Sequence, residues 1–164
     1  MSAATPPRTS VLFVCLGNIC RSPLAEGIFL HHLNRRGAAH RFRIDSAGTG
    51  GWHAGERPDH RALDVASRRG VHLPSLARQV TRADFQTFDH LVCMDRSNLH
   101  RLRELGAPED RLSLMLQHRS ARSATGSPAD LDVPDPYYGG LDGFEQVFDM
   151  LDVACAGLAD RLGA

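Results

Sequence analysis

The chain has 164 residues, 19 basic and 19 acidic side chains, no formal net charge, and 42% apolar residues. That length suits one domain burying roughly 70% of its unfolded surface, and the balanced charge gives no general attraction to nucleic acid or an anionic membrane. All 19 basic side chains are arginine, which excludes a Walker-type phosphate loop, Schiff-base chemistry and a lysine general base.

Residues 1–9 are polar, contain proline and lack an apolar segment, so they are expected to form a flexible arm without a secretory leader, ahead of a domain over 10–164. The apolar run at 11–14 predicts a first strand. A helix is expected from Pro23 to about Arg36, with Ala25, Ile28, Phe29 and Leu33 on one face. A second strand is expected over 42–46, then a glycine-rich loop over 48–55 and a helix from Pro58 to about Arg69, stopped by Gly70. A third strand over 90–94 precedes a helix over 97–105 and a fourth strand over 112–116. A polar loop over 117–143 leads to a final amphipathic helix carrying Phe144, Val147, Phe148, Leu151, Val153 and Leu158.

Strands alternating with helices predict a single-domain α/β fold, a parallel sheet with helices on both faces. In such folds ligands bind outside the C-terminal strand ends, where strand order reverses. Three loops are expected at that edge: the one after residue 14, the one over 48–55 and the acidic one after the fourth strand. No apolar stretch approaches the roughly 18 residues of a membrane span. The cysteines at 15, 20, 93 and 155 form no CxxC pair. A soluble cytoplasmic protein with reduced thiols and no membrane partner is expected. The nine histidines show no metal-ligand spacing; His31 and His32 are adjacent and point apart on a helix.

The most informative stretch is Cys15-Leu16-Gly17-Asn18-Ile19-Cys20-Arg21-Ser22, between a strand and a helix start. A cysteine at a helix N-terminus beside an arginine is favoured as the thiolate nucleophile. The N–H groups of Leu16, Gly17, Asn18, Ile19, Cys20 and Ser22 can form a nest for a tetrahedral oxyanion. Gly17 is expected to supply the positive φ of the turn, and Asn18 to tolerate left-handed geometry and tie the loop together through its amide. Arg21 can grip two oxyanion oxygens in a fork. Ser22 can donate to the sulfur and serve as N-cap ahead of Pro23. Phosphoryl transfer also needs an acid for the leaving oxygen. Asp135 is the best candidate: prolines at 134 and 136 stiffen its backbone, and Tyr137 and Tyr138 offer an aromatic wall.

Residues 15–23 and Asp135-Pro136-Tyr137-Tyr138-Gly139 together closely resemble the low-molecular-weight protein tyrosine phosphatases. The likeness extends through Asp45-Ser46-Ala47-Gly48-Thr49, Ala77-Arg78-Gln79 and the stretch from Cys93 to Leu99. It implies Cys15 as nucleophile, Arg21 as phosphate clamp and Asp135 as general acid, then general base for hydrolysis of a phosphocysteine. It further implies a four-stranded parallel sheet, flavodoxin-like and doubly wound in the order 2-1-3-4, with no cofactor or metal. The expected ligands are a phosphotyrosine protein or small aryl phosphate, with inorganic phosphate and vanadate, bound by a monomer.

By the same resemblance, Trp52 stands at a variable aromatic position on the crevice rim, and Ser46 at a serine that braces Asn18 alongside Ser22. Ser75 stands where some members carry a histidine. The resemblance makes Cys20 the partner of Cys15 in a protective disulfide; a small packing residue is the other reading. Two further functions are weighed. One is an arsenate reductase on the same scaffold, with Cys93 near a relay position but no second cysteine over 96–105. The other is an inactive phosphopeptide-binding protein, against which nothing essential to the site is missing.

Overall fold

The computed structural model describes residues 8–119 and 130–164; the expected arm, Arg8 and Thr9 apart, and residues 120–129 of the polar loop lie outside the described residues. Four strands form one parallel sheet in the order β2-β1-β3-β4: β1 Thr9–Cys15, β2 Phe42–Gly48, β3 His90–Cys93 and β4 Leu112–Leu114. Thr9 already pairs with Phe42, so the sheet begins one residue inside the expected arm. The helices are α1 Arg21–Arg35, α2 His60–Arg68, α3 Asp84–Thr87, α4 Arg96–Glu104 and α5 Leu141–Arg161.

The central strand β1 shows why the sheet is covered on both faces. Successive side chains of a strand point to opposite sides. Val11, Phe13 and Cys15 join a core with Leu24, Ile28 and Phe29 of α1, Val65 of α2 and Val147 and Leu151 of α5. Leu12 and Val14 join a second core with Phe85 of α3, Leu91 and Cys93 of β3 and Leu102 of α4. The rings of Phe13 and Phe29 meet edge to face at 5.6 Å, and Phe29 meets Phe42 in the same way at 6.0 Å.

Several expected boundaries move. The fourth strand ends at Leu114, because Met115–His118 turns into a one-turn 3₁₀ helix with Gln117 Oε1 accepting from the Leu114 N–H. The short α3 was not expected; four residues carry too little periodicity to read. The helix α1 starts at Arg21, so Ser22 and Pro23 lie inside its first turn and Ser22 is not the N-cap. Val153 sits on the exposed side of α5, away from the apolar face expected to include it.

The strand order reverses beside β1, and the loop from Cys15 to Arg21 leaves the sheet there. Among the described residues no helix is long and apolar enough to cross a membrane.

Candidate active site

Three carbonyls of the 15–20 loop are held from outside. Thr49 N–H donates to Cys15 O, Gly50 N–H to Leu16 O and Asp59 N–H to Ile19 O, at 2.8–2.9 Å. Cys20 O takes the Leu24 N–H of α1. The first turn of α1 leaves N–H groups without an intrahelical partner at the same place, which favours an anion there. The Asn18 N–H lies 3.3 Å from Cys15 Sγ.

The positive φ expected at Gly17 falls on Asn18, with φ of 57°, the one non-glycine residue of that kind among the described residues. Asn tolerates this region because its short polar side chain bonds locally. Gly17 has a different reason for being glycine: a Cβ there would sit 3.1 Å from His53 Cδ2 and crowd the imidazole at the site. Likewise a Cβ at Gly50 would overlap the Trp52 ring, which lies across that glycine.

Behind the sulfur runs a directed chain of hydrogen bonds. Asn18 Nδ2 donates to Ser22 Oγ at 2.7 Å and to Ser46 Oγ at 3.0 Å. The Ser22 hydroxyl is thereby left to donate to Cys15 Sγ, 3.0 Å away. Ser46 Oγ donates to Glu26 Oε1 at 2.6 Å, and Ser75 Oγ donates to Glu26 Oε2 at 2.6 Å. Asn18 Oδ1 accepts from the Arg78 N–H at 3.0 Å. The network therefore closes with Ser75, the residue at the histidine position, on a buried carboxyl that the sequence did not reveal. Burial raises the Glu26 pKa against the two hydroxyl donors.

Arg21 is 3% exposed. Its Nη1 donates to Asp95 Oδ2 at 2.7 Å and to Val133 O at 2.9 Å, and its Nη2 lies 3.7 Å from Asp135 Oδ2. Burial works to lower the Arg21 pKa, but the Cys15 and Asp95 charges outweigh it and raise the value. Asp95 also caps α4, with Oδ1 accepting from the Asn98 N–H at 2.8 Å. Asp135 opens a one-turn helix over Pro136–Tyr138 and accepts from the Tyr137 N–H at 3.0 Å.

These groups border one cleft of about 320 Å³, at the small end of ligand pockets. Its lining brings together Cys15, Leu16, Gly17, Ile19, Cys20, Arg21, Trp52, Asp135, Tyr137 and Tyr138, and adds His53, which pairs with Glu56. Trp52 is 73% exposed and Tyr138 90%, so both stand at the rim, while Tyr137 packs edge to face on Tyr138. Asn18, Ser22 and Ser46 lie beneath the floor. All four cysteines are buried free thiols; burial pushes those of Cys20 and Cys93 well up. Among the described residues no group of three His, Cys, Asp or Glu side chains is placed to hold a metal ion.

Residues 10–164 match the model of the family described as low molecular weight phosphotyrosine protein phosphatase. A protein so named from Schizosaccharomyces pombe is 44% identical over 142 residues, covering 86% of this chain and 88% of that one. A low molecular weight protein-tyrosine-phosphatase of Streptomyces coelicolor is 44% identical over 148 residues, 90% of each chain. The crystal structure of a protein tyrosine phosphatase from Entamoeba histolytica, with Hepes in its active site, superposes with a TM-score of 0.86 at 36% identity, covering 94% of this chain and 96% of that one.

Proposed function

The chain belongs to the low-molecular-weight phosphotyrosine protein phosphatase family, and from that premise we propose that it hydrolyses phosphotyrosine esters through a phosphocysteine on Cys15. The observation that carries this reading is the joint placement of Cys15, Arg21 and Asp135 on one cleft, with a hydroxyl aimed at the sulfur.

The Cys15 thiolate attacks phosphorus and the bond to the aryl oxygen breaks. Asp135 gives its proton to the departing oxygen. Arg21, held by Asp95 and Val133 O, uses its remaining donors on the equatorial oxygens, and the loop amides of Leu16, Gly17, Asn18, Ile19, Cys20 and Ser22 bind the same charge. In the second step the Asp135 carboxylate takes a proton from water, which attacks phosphorus. The sulfur–phosphorus bond breaks, and the Ser22 hydroxyl stabilises the returning thiolate. Asn18 and Ser46 brace this arrangement. Trp52, Tyr137 and Tyr138 flank the phenyl ring, and the depth they set favours phosphotyrosine over phosphoserine. Inorganic phosphate and vanadate occupy the same loop.

The protein acts as a cytoplasmic monomer, without a cofactor, and Cys20 serves as the second thiol. Peroxide oxidises Cys15 to the sulfenic acid with release of water; attack by the Cys20 sulfur then closes a disulfide and releases a second water. The arsenate reductase alternative is disfavoured because Cys93 is fully buried in the second core and, unlike Cys20, does not line the cleft with Cys15.

The test compares phosphotyrosine peptides, phosphoserine peptides and thioredoxin-coupled arsenate reduction, with Cys15→Ser as control. Phosphotyrosine turnover that vanishes in Cys15→Ser, with neither of the other activities, is expected. Arsenate turnover, or vanadate binding without phosphotyrosine hydrolysis, would overturn the reading.

A further inference from the structure

Asp59 and Arg61, at the start of α2, connect the loop that carries Cys15 to the turn that carries Asp135. Neither belongs to the site as read from the sequence. The Asp59 N–H donates to Ile19 O at 2.8 Å, inside the 15–20 loop. Its carboxylate, almost buried, accepts from Arg61 at both oxygens: Nε to Oδ1 at 3.0 Å and Nη2 to Oδ2 at 3.0 Å. The other donors of the same guanidinium cross to the acid turn. Nη1 donates to Gly139 O at 2.7 Å and Nη2 to Tyr137 O at 3.0 Å. The guanidinium also lies over the Phe144 ring of α5 at 4.7 Å and the Tyr137 ring at 5.7 Å.

Tyr137 joins Arg61 to Asp135. Its carbonyl is held by Arg61, and its N–H is the donor to Asp135 Oδ1. A continuous path therefore runs from Ile19 O through Asp59, Arg61 and Tyr137 to the carboxyl group of Asp135. The acid turn is a short, rim-exposed segment, with Tyr138 standing almost wholly in solvent. Short exposed segments of this kind open at little cost unless tied down. The guanidinium spends four N–H donors at once, two on the carboxylate and one on each carbonyl, which the three donors of an ammonium cannot reproduce.

We propose that Arg61, oriented by Asp59, is a positioning residue that fixes the Asp135 carboxyl group relative to the Cys15 loop. The proposal rests on Asp135 being the general acid. It assigns the Asp59–Arg61 pair to leaving-group protonation rather than to oxyanion binding. An acid displaced by about 1 Å costs on the order of tenfold to a hundredfold in the step it serves.

The experiment measures kcat/KM for phenyl phosphate and p-nitrophenyl phosphate, with vanadate inhibition, in wild type, Arg61→Ala, Arg61→Lys, Asp135→Asn and the Arg61→Ala/Asp135→Asn double variant. Arg61→Ala is expected to lose about tenfold or more on phenyl phosphate, whose leaving group needs the proton, and much less on p-nitrophenyl phosphate. Vanadate affinity should stay within about threefold, and Arg61→Lys should fall between. Adding Arg61→Ala to Asp135→Asn should cost little more than Asp135→Asn alone. Equal loss on both substrates, or vanadate affinity falling in step with activity, would overturn the proposal while Asp135→Asn still showed leaving-group dependence. A uniform loss in Asp135→Asn would instead remove the general-acid reading, and the proposal with it. Should Arg61→Ala fail to fold, Arg61→Lys carries the same comparison at smaller amplitude.

Discussion

Replacing Ser22 by alanine probes the polar floor of the site most sharply. The hydroxyl makes two buried bonds, accepting from Asn18 Nδ2 at 2.7 Å and facing Cys15 Sγ at 3.0 Å. In the proposed hydrolysis step the sulfur leaves as a thiolate, so the bond from Ser22 would strengthen as charge returns to it. A hydrogen bond to a charged group contributes about 1.5–3 kcal/mol, which in a transition state is a factor of about ten to a hundred in rate. Ser22→Ala should therefore slow phosphoenzyme hydrolysis by about that factor. Stopped-flow release of p-nitrophenolate should show a burst approaching one equivalent per site, followed by a steady state reduced in proportion. Stability should fall as well, because one Asn18 amide hydrogen is left buried without a partner, at a cost of about 1–3 kcal/mol. For a domain of this size that is a drop in Tm of about 2–10 °C. A variant with unchanged steady-state rate, or with burst and steady state slowed equally, would refute this account of the hydroxyl.

Trp52→Ala should raise KM for aryl phosphates by about two- to tenfold, the range of one aromatic contact, with kcat little changed, because an exposed wall grips ground and transition states alike; a fall in kcat at constant KM would contradict this. Cys20→Ser should lose recovery by dithiol after peroxide inactivation, and recovery equal to wild type would sink the disulfide. His118 is buried against Ser113, and burial, followed by the Arg161 and His90 charges, lowers its pKa from 6.5 to about 4. The fold thus favours the neutral imidazole. Its contribution is complete above pH 6.5 and is lost as pH falls toward 4, a change of about 3 kcal/mol. Urea unfolding between pH 7 and pH 4 should show that much less acid sensitivity in His118→Gln, and parallel curves for the two proteins would refute the shift.

The parts of the site legible in the sequence are those whose chemistry is local. Cys15, Asn18 and Arg21 sit within seven residues of one another, and Asp135 is marked by its flanking prolines. What the sequence hid depends on packing across long separations. Asp95 holds Arg21 from 74 positions away, a contact that nothing local to either residue marks. Glu26 falls on the buried face of α1 and meets Ser46 and Ser75 only once β2 and the segment after α2 are docked. Ser22 faces the sulfur as its position suggests, but it does not cap the helix: a serine before proline has the same local signature at the N-cap and one residue inside the first turn. The Gly17 reading failed for a related reason: glycine answers close approach as well as positive φ, and only the position of the His53 ring decides between them.

The central claim is that phosphate passes through Cys15. Rapid acid quench of the enzyme during turnover of p-nitrophenyl phosphate, followed by peptide mass analysis, tests it directly. A gain of one phosphoryl group on the peptide containing Cys15, absent in Cys15→Ser and enriched in Ser22→Ala, is predicted. A phosphoryl group on any other residue, or turnover persisting in Cys15→Ser, would contradict the account.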